Sequence, residues 1–261
     1  MSNAEFYLSV FLLVLAATPS FAQSPDPICF ETINARQVGV AAVHDAQTVE
    51  LTDGRLVSPA GLYIPTWLPL EAVDDVHSNM RSLLKGRSVR VFNLSKDLDR
   101  HGRTPAFIAF DGGRSLQGSL LAAGLARLAH AKGIPCFETL SFAERTAQRS
   151  AAGLWKNAPV HTPASEQLRQ LTGHYVTVRG RVQSVGIREK RHYLNFGAKW
   201  REDFTVELSP RTTARLFGDT AELQRLDGQW VTIRGRLRSK GGPMIVVQQE
   251  GQIDFYQNVA E

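Results

Sequence analysis

The chain has 261 residues, enough for one large or two modest domains, each able to bury a core of its own. Its 43% hydrophobic and 21% charged residues are the proportions of an ordinary soluble globular protein, and two cysteines without a C-x-x-C pair or Cys/His cluster argue against a zinc centre. A net charge of +5 and a pI near 9.4 favour anionic partners such as nucleic acid or acidic lipid.

Met1 to Gln23 reads as a secretory signal peptide. The apolar run from Phe6 to Ala17 is shorter than the ~20 residues that span a bilayer. Ser20-Phe21-Ala22 puts small residues where a signal peptidase reads them, so residues 1–22 are expected to be removed after Ala22. The first five residues carry no Lys or Arg, which leaves an uncleaved N-terminal anchor as the competing reading. No later stretch is apolar enough to cross a membrane, and the mature chain is expected to be exported, periplasmic or secreted. In that compartment Cys29 and Cys136 are expected to form a disulfide closing a long loop; two separate buried thiols are the alternative.

Gln37–His44 and Thr48–Leu51 read as strands around a short polar turn, and Asp53-Gly54 is a two-residue hairpin signal. A third strand follows through Arg55–Val57 and again Leu62–Ile64. Leu70–Leu84 has helical spacing, with Val73, Val76, Met80 and Leu84 on one side and Gly86 at its end. Ser88–Phe92 and Thr104–Phe110 are two more strands. Three strands, a helix and two strands is the order of a five-stranded OB barrel. Two helices are expected after it, Leu116–His130 and Glu138–Trp155.

The phrases Thr48-Val49-Glu50-Leu51, Asp99-Arg100-His101-Gly102-Arg103, Gly124-Leu125-Ala126 and Gly153-Leu154-Trp155 together resemble the staphylococcal-nuclease-like (thermonuclease) family, over about residues 36–155. The resemblance implies a barrel with two C-terminal helices and Ca²⁺-dependent phosphodiester hydrolysis. In that chemistry carboxylates hold the metal on the phosphate, a glutamate helps activate water and two arginines stabilise developing charge.

Set against the family's motifs, most of that equipment is replaced. A D-G-D-T motif matches Asp45-Ala46-Gln47-Thr48, so a metal-binding carboxylate has become Gln47. An R-L-x-G-I-D-x-P-E motif matches residues 58–66: the arginine is Ser58, the aspartate Tyr63 and the glutamate Thr66. The third motif, D-R-H-G-R, keeps its functional residue as Arg103, either a remnant phosphate contact or an ion pair with Asp97 or Asp99. The resemblance therefore brings an expected Ca²⁺ whose ligands are largely gone, and no cofactor is expected.

Residues 156–165 are polar and Pro-containing and read as a linker. Residues 166–261 carry an internal echo, Gly173-His174-Tyr175-Val176-Thr177-Val178-Arg179-Gly180-Arg181-Val182 against Gly228-Gln229-Trp230-Val231-Thr232-Ile233-Arg234-Gly235-Arg236-Leu237. Each copy alternates aliphatic and polar residues, and the glycine between its arginines suggests a bulge or bend. Strands at 193–196, 203–208 and 243–248, with a helix over 212–226, repeat the barrel order. This region resembles the C-terminal module of some bacterial thermonuclease-like proteins.

Arg179, Arg181, Arg188, Lys190, Arg191, Lys199, Arg201, Arg234, Arg236 and Arg238, interleaved with Tyr193, Phe196 and Trp200, are the cations and aromatics that a single-strand-binding groove requires. The other reading makes Phe196 and Trp200 core and pairs the arginines with Glu189, Glu202, Asp203 and Glu207. The expected protein is mostly β with α, two tandem OB-like five-stranded barrels. Its expected role is binding single-stranded nucleic acid, another polyanion or an envelope protein. A still-active nuclease built around Arg103 and a protein–protein scaffold are the alternatives.

Overall fold

A computed structural model describes residues 35, 37–64, 70–110, 113–129, 134–156, 160–164, 166–199 and 202–255. The signal-peptide reading and Cys29, Thr66, Trp200 and Arg201 lie outside the described residues.

The N-terminal half is built on five strands: Gln37–Asp45 (β1), Thr48–Leu51 (β2), Leu56–Pro59 (β3), Ser88–Asn93 (β5) and Thr104–Ala109 (β6). They close into a barrel in the order β1-β2-β3-β6-β5, with β3 and β6 parallel and every other pair antiparallel. Two register shifts of β1 against β2, at Val40/Ala42 and Val43/Asp45, bend the long first strand around the barrel. The helix Leu70–Leu84 (α1) adds Val76, Met80 and Leu84, spaced by four, to a core with Val49, Leu51, Val57, Phe107 and Ile108.

Leu62–Tyr63 (β4) does not continue the third strand. Gly61, at φ +78, turns the chain out of the barrel, and β4 pairs instead with Arg127–Leu128 (β7). The expected helix 116–130 is correspondingly short, Leu116–Ala122 (α2). Its end is chemical: Gly124, at φ +67, sends its N–H to Leu121 O and the Leu125 N–H to Leu120 O, the paired bonds of a Schellman stop. Ser115 caps the other end by accepting from Gly118 N. Phe137–Arg149 (α3) then packs on α2, and Gly153–Lys156 forms a 3-10 turn where the second expected helix was to continue.

After Glu166–Gln170 (α4), the C-terminal half comprises Tyr175–Arg181 (β8), Ser184–Ile187 (β9), His192–Asn195 (β10), Thr205–Leu208 (β11), Pro210–Phe217 (α5), Thr220–Gln224 (α6), Trp230–Lys240 (β12), Gly242–Val247 (β13) and Ile253–Phe255 (β14). The pairs β9-β10, β10-β11, β11-β13 (parallel), β13-β12 and β12-β8 follow the same succession as the barrel's, and β14 adds to β12. Gly218 and the Asp219 cap split the expected helix 212–226 in two.

Neither echoed glycine makes a bulge, because β8 and β12 stay in register through both. Gly180 and Gly235 serve close packing: a Cβ on the first would strike Pro163 and Phe196, and on the second Ile245. The apolar residues form two separate cores, one from Ala46 to Leu140 and one from Leu168 to Ile253. No helix among the described residues is long and apolar enough to cross a membrane.

Candidate nucleic-acid interface

The turn between β1 and β2 is held by Asp45. Its Oδ1 accepts from Gln47 N at 2.6 Å and its Oδ2 from the Thr48 hydroxyl at 2.9 Å, so the local fold occupies both oxygens. Arg103 reaches this turn from the loop before β6. Its Nη1 donates to Thr48 Oγ1 (3.0 Å) and Gln47 O (3.2 Å), and its Nε to Asp99 Oδ2 (2.8 Å).

Asp99 also accepts from the backbone N–H groups of His101 and Arg103. Burial alone would raise its pKa; those N–H donors and the guanidinium outweigh it and hold the carboxyl below the usual range. Of the two partners foreseen for Arg103, the structure selects Asp99.

Ser58 lies half-buried in β3 opposite Pro105. Tyr63 leaves the barrel with β4 and packs its ring on Tyr175 of β8, centroids 5.0 Å apart. The residues described here do not fit a Ca²⁺ ion, which takes six to eight oxygens with carboxylates among them. Asp45 is the one carboxylate of the first motif, and the other two matched ligand positions are the neutral Gln47 and Tyr63.

Tyr63–Tyr175 is the edge of a larger contact between barrel and C-terminal sheet. At its centre Arg234 of β12, 3% exposed, is ion-paired to Glu144 of α3 and Asp254 of β14, and its Nη1 also faces Leu128 O at 3.3 Å. Glu144 accepts from Leu128 N at 2.6 Å with its other oxygen. Arg127, fully buried beside them, stacks on Trp155 at 4.5 Å. Burial pushes the Arg127 guanidinium down to about 10, opposed by the Glu144 charge. Arg234 feels the same burial but has two carboxylates, and is shifted upward instead.

That placement corrects one sequence expectation: Arg234 is not a groove cation but the buried tie between the two halves. Thr177 and Thr232, from the same polar row, are buried with it. The segment read as linker is likewise partly sheet, since His161 N donates to Thr177 O and Arg179 N to His161 O.

His161 is held below its ordinary range by burial first and by Arg127 second. The fold therefore disfavours its protonated form, while an unfolded chain protonates it near pH 6.5. Stability contributed this way is present above that pH and falls as pH drops toward the depressed folded value. Chemical denaturation of wild type against His161→Asn across pH 7.5 to 5 should show a smaller acid loss in the variant.

The other predicted cations separate into two regions. Arg179 and Arg181 flank the exposed Trp230, with Arg179 5.7 Å from its ring and Arg181 Nε donating to Gly228 O. Arg188, Lys190 and Arg191 sit exposed on the β9–β10 turn, next to half-buried Tyr193. Arg236 donates to Gly173 O, Arg238 is exposed, and Lys199 pairs with Glu202 at 3.7 Å. Phe196 is core, 5.1 Å from Phe204. Glu207, foreseen as a partner of the arginines, pairs with Arg191, and also with Lys240, a cation not among those predicted; strand register, which composition does not carry, brings them together.

No curated protein matches the chain. Residues 73–157 match the model of the staphylococcal nuclease homologue family, from within α1 through Arg103, α2 and α3 to the 3-10 turn. The substituted positions 47, 58, 63 and 66 all precede the matched segment. Over residues 73–157, then, the chain is similar to the staphylococcal nuclease homologue family.

Proposed function

We propose that the protein is an exported nuclease-like module that has lost phosphodiester hydrolysis and binds nucleic acid. The observation that carries this reading is the state of Arg103, the retained functional position. Its Nε and Nη1 donate to Asp99, Thr48 and Gln47 within the barrel, beside a turn whose family carboxylate is the neutral Gln47. A guanidinium so employed holds a loop together, and the family's charge-stabilising pair has no second arginine at Ser58.

In this reading residues 36–155 form the nuclease-like domain, 156–165 the connector and 166–261 a second OB-type barrel in which β8 and β9 act as one bent strand. Export, with the leader removed after Ala22, goes with a Cys29–Cys136 bridge tying the mature N-terminus to the start of α3. Thiol titration of the denatured mature protein should then find no free thiol until reductant is added.

Mature protein, residues 23–261, incubated with labelled single-stranded DNA and RNA should shift both on native gels without cleaving either, with Ca²⁺ or with chelator. Added salt should weaken the shift. Ca²⁺-dependent cleavage that vanishes in Arg103→Ala would overturn the reading. The same substitution should instead lower folding stability by about 1.5–3 kcal/mol, the range for hydrogen bonds to charged groups.

A further inference from the structure

Strand register fixes what lies side by side on the face of the C-terminal sheet turned away from its core. Ser184, Asn195, Thr205, Met244 and Arg238 stand opposite one another across five strands, and Gly186, Tyr193, Glu207 and Val246 form the next row. Their strand neighbours Leu194, Val206, Ile245 and Leu237 fill the core, so both rows point away from it; Thr205, Met244 and Glu207 at their centre are themselves covered, and the exposed surface is that of the surrounding cations. Gly186 offers Tyr193 no cross-strand side chain on that strand.

Two sets of cations overhang these rows from opposite ends. Arg188, Lys190 and Arg191 come from the β9–β10 turn, and Arg238 and Lys240 from the end of β12. They meet at Glu207: Arg191 Nε lies 2.8 Å from Oε1 and Lys240 Nζ 3.5 Å from Oε2. The Glu207 side chain is 9% exposed, while those of Arg191 and Lys240 are 49% and 69% exposed. The carboxylate is thus pinned beneath two cations whose outer sides face solvent.

We propose that this face is the nucleic-acid site, that its ligand is single-stranded, and that Glu207 limits its affinity. Phosphates are held by Arg188, Lys190, Arg191 and Lys240, and an unpaired base stacks on Tyr193. A duplex has no free base face to offer that ring. Glu207 competes with phosphate for Arg191 and Lys240 and adds a negative charge at the centre of the site. The proposal rests on the nucleic-acid-binding reading above.

The test is anisotropy of a fluorescein-labelled oligothymidylate with the full mature chain over a range of salt. Glu207→Gln should bind about fivefold tighter, a gain that misfolding cannot imitate, with a steeper dependence on salt. The double variant Arg188→Ala/Lys190→Ala should bind at least tenfold more weakly with a shallower salt slope, and Tyr193→Ala about tenfold more weakly. Arg81→Ala/Lys85→Ala, which removes equal charge at the end of α1, should match wild type. If wild type binds while Glu207→Gln and Arg188→Ala/Lys190→Ala are indistinguishable from it, this face is wrong and the nucleic-acid reading survives. If duplex binds as well as single strand and Tyr193→Ala changes nothing, the single-strand assignment falls. Absence of any binding by wild type would sink both.

Discussion

Glu144→Ala should cost about 3–5 kcal/mol of folding stability, the range for breaking a buried ion pair from one side. The carboxylate is the shared partner of a crowded cationic pocket. It pairs directly with Arg234, opposes the burial of Arg127 and accepts the Leu128 N–H. Alanine would leave two buried guanidiniums facing each other with Asp254 as the one remaining carboxylate near them among the described residues.

Urea unfolding of Glu144→Ala, Arg234→Met and the double variant gives the measurement. The two losses should not add, because once either partner is gone the other is already stranded. A loss under about 1 kcal/mol in Glu144→Ala would mean that water enters the contact and solvates the arginines, which would place the pair in the exposed class.

Gly124→Ala should be nearly as damaging, at about 3–5 kcal/mol from backbone strain and overpacking together. The glycine sits at φ +67, and a Cβ there would run into the carbonyl of Ala152. Gly153 is reciprocal, at φ +51 with the Gly124 and Ala123 carbonyls against its own Cβ position. Leu154 N donates to Gly124 O at 2.8 Å, so two backbones touch and bond where α2 ends and the 3-10 turn begins. Thermal unfolding of Gly124→Ala and Gly153→Ala would check this, and a variant melting within 2 °C of wild type would show that the contact slides apart at little cost.

That contact explains why part of the fold was legible in the sequence. Gly124-Leu125-Ala126 and Gly153-Leu154-Trp155 carried the family resemblance, and their glycines are required by a backbone approach that admits no side chain. Alternating β-branched residues and the Val76–Met80–Leu84 stripe likewise announced strands and helix correctly, since burial on one face dictates those periods. Helix ends at 122 and 217 were misread because periodicity ran on past Gly124 and Gly218, whose turn geometry stops the helix.

The proposed loss of hydrolysis rests on residue identity. Sequence showed that Gln47, Ser58 and Tyr63 differ from the residues of the family's motifs, but not that Tyr63 would turn to Tyr175. Arg234 reads like its neighbours Arg236 and Arg238 in an alternating strand. What separates them is which part of the sheet surface the barrel covers, and that follows from tertiary docking rather than local pattern.

The connector has a consequence for how the two halves can come apart. Lys156 closes the 3-10 turn and His161 is already paired to β8, leaving only residues 157–160 between them. The five steps from Lys156 to His161, fully stretched, span roughly 17–18 Å. If the Arg234 tie opened, the C-terminal sheet would therefore stay leashed beside α3 at a high effective concentration, and reclosure would be unimolecular. Opening and closing would then be independent of protein concentration, and a chain breathing at this contact would keep the mass and nearly the size of the closed form.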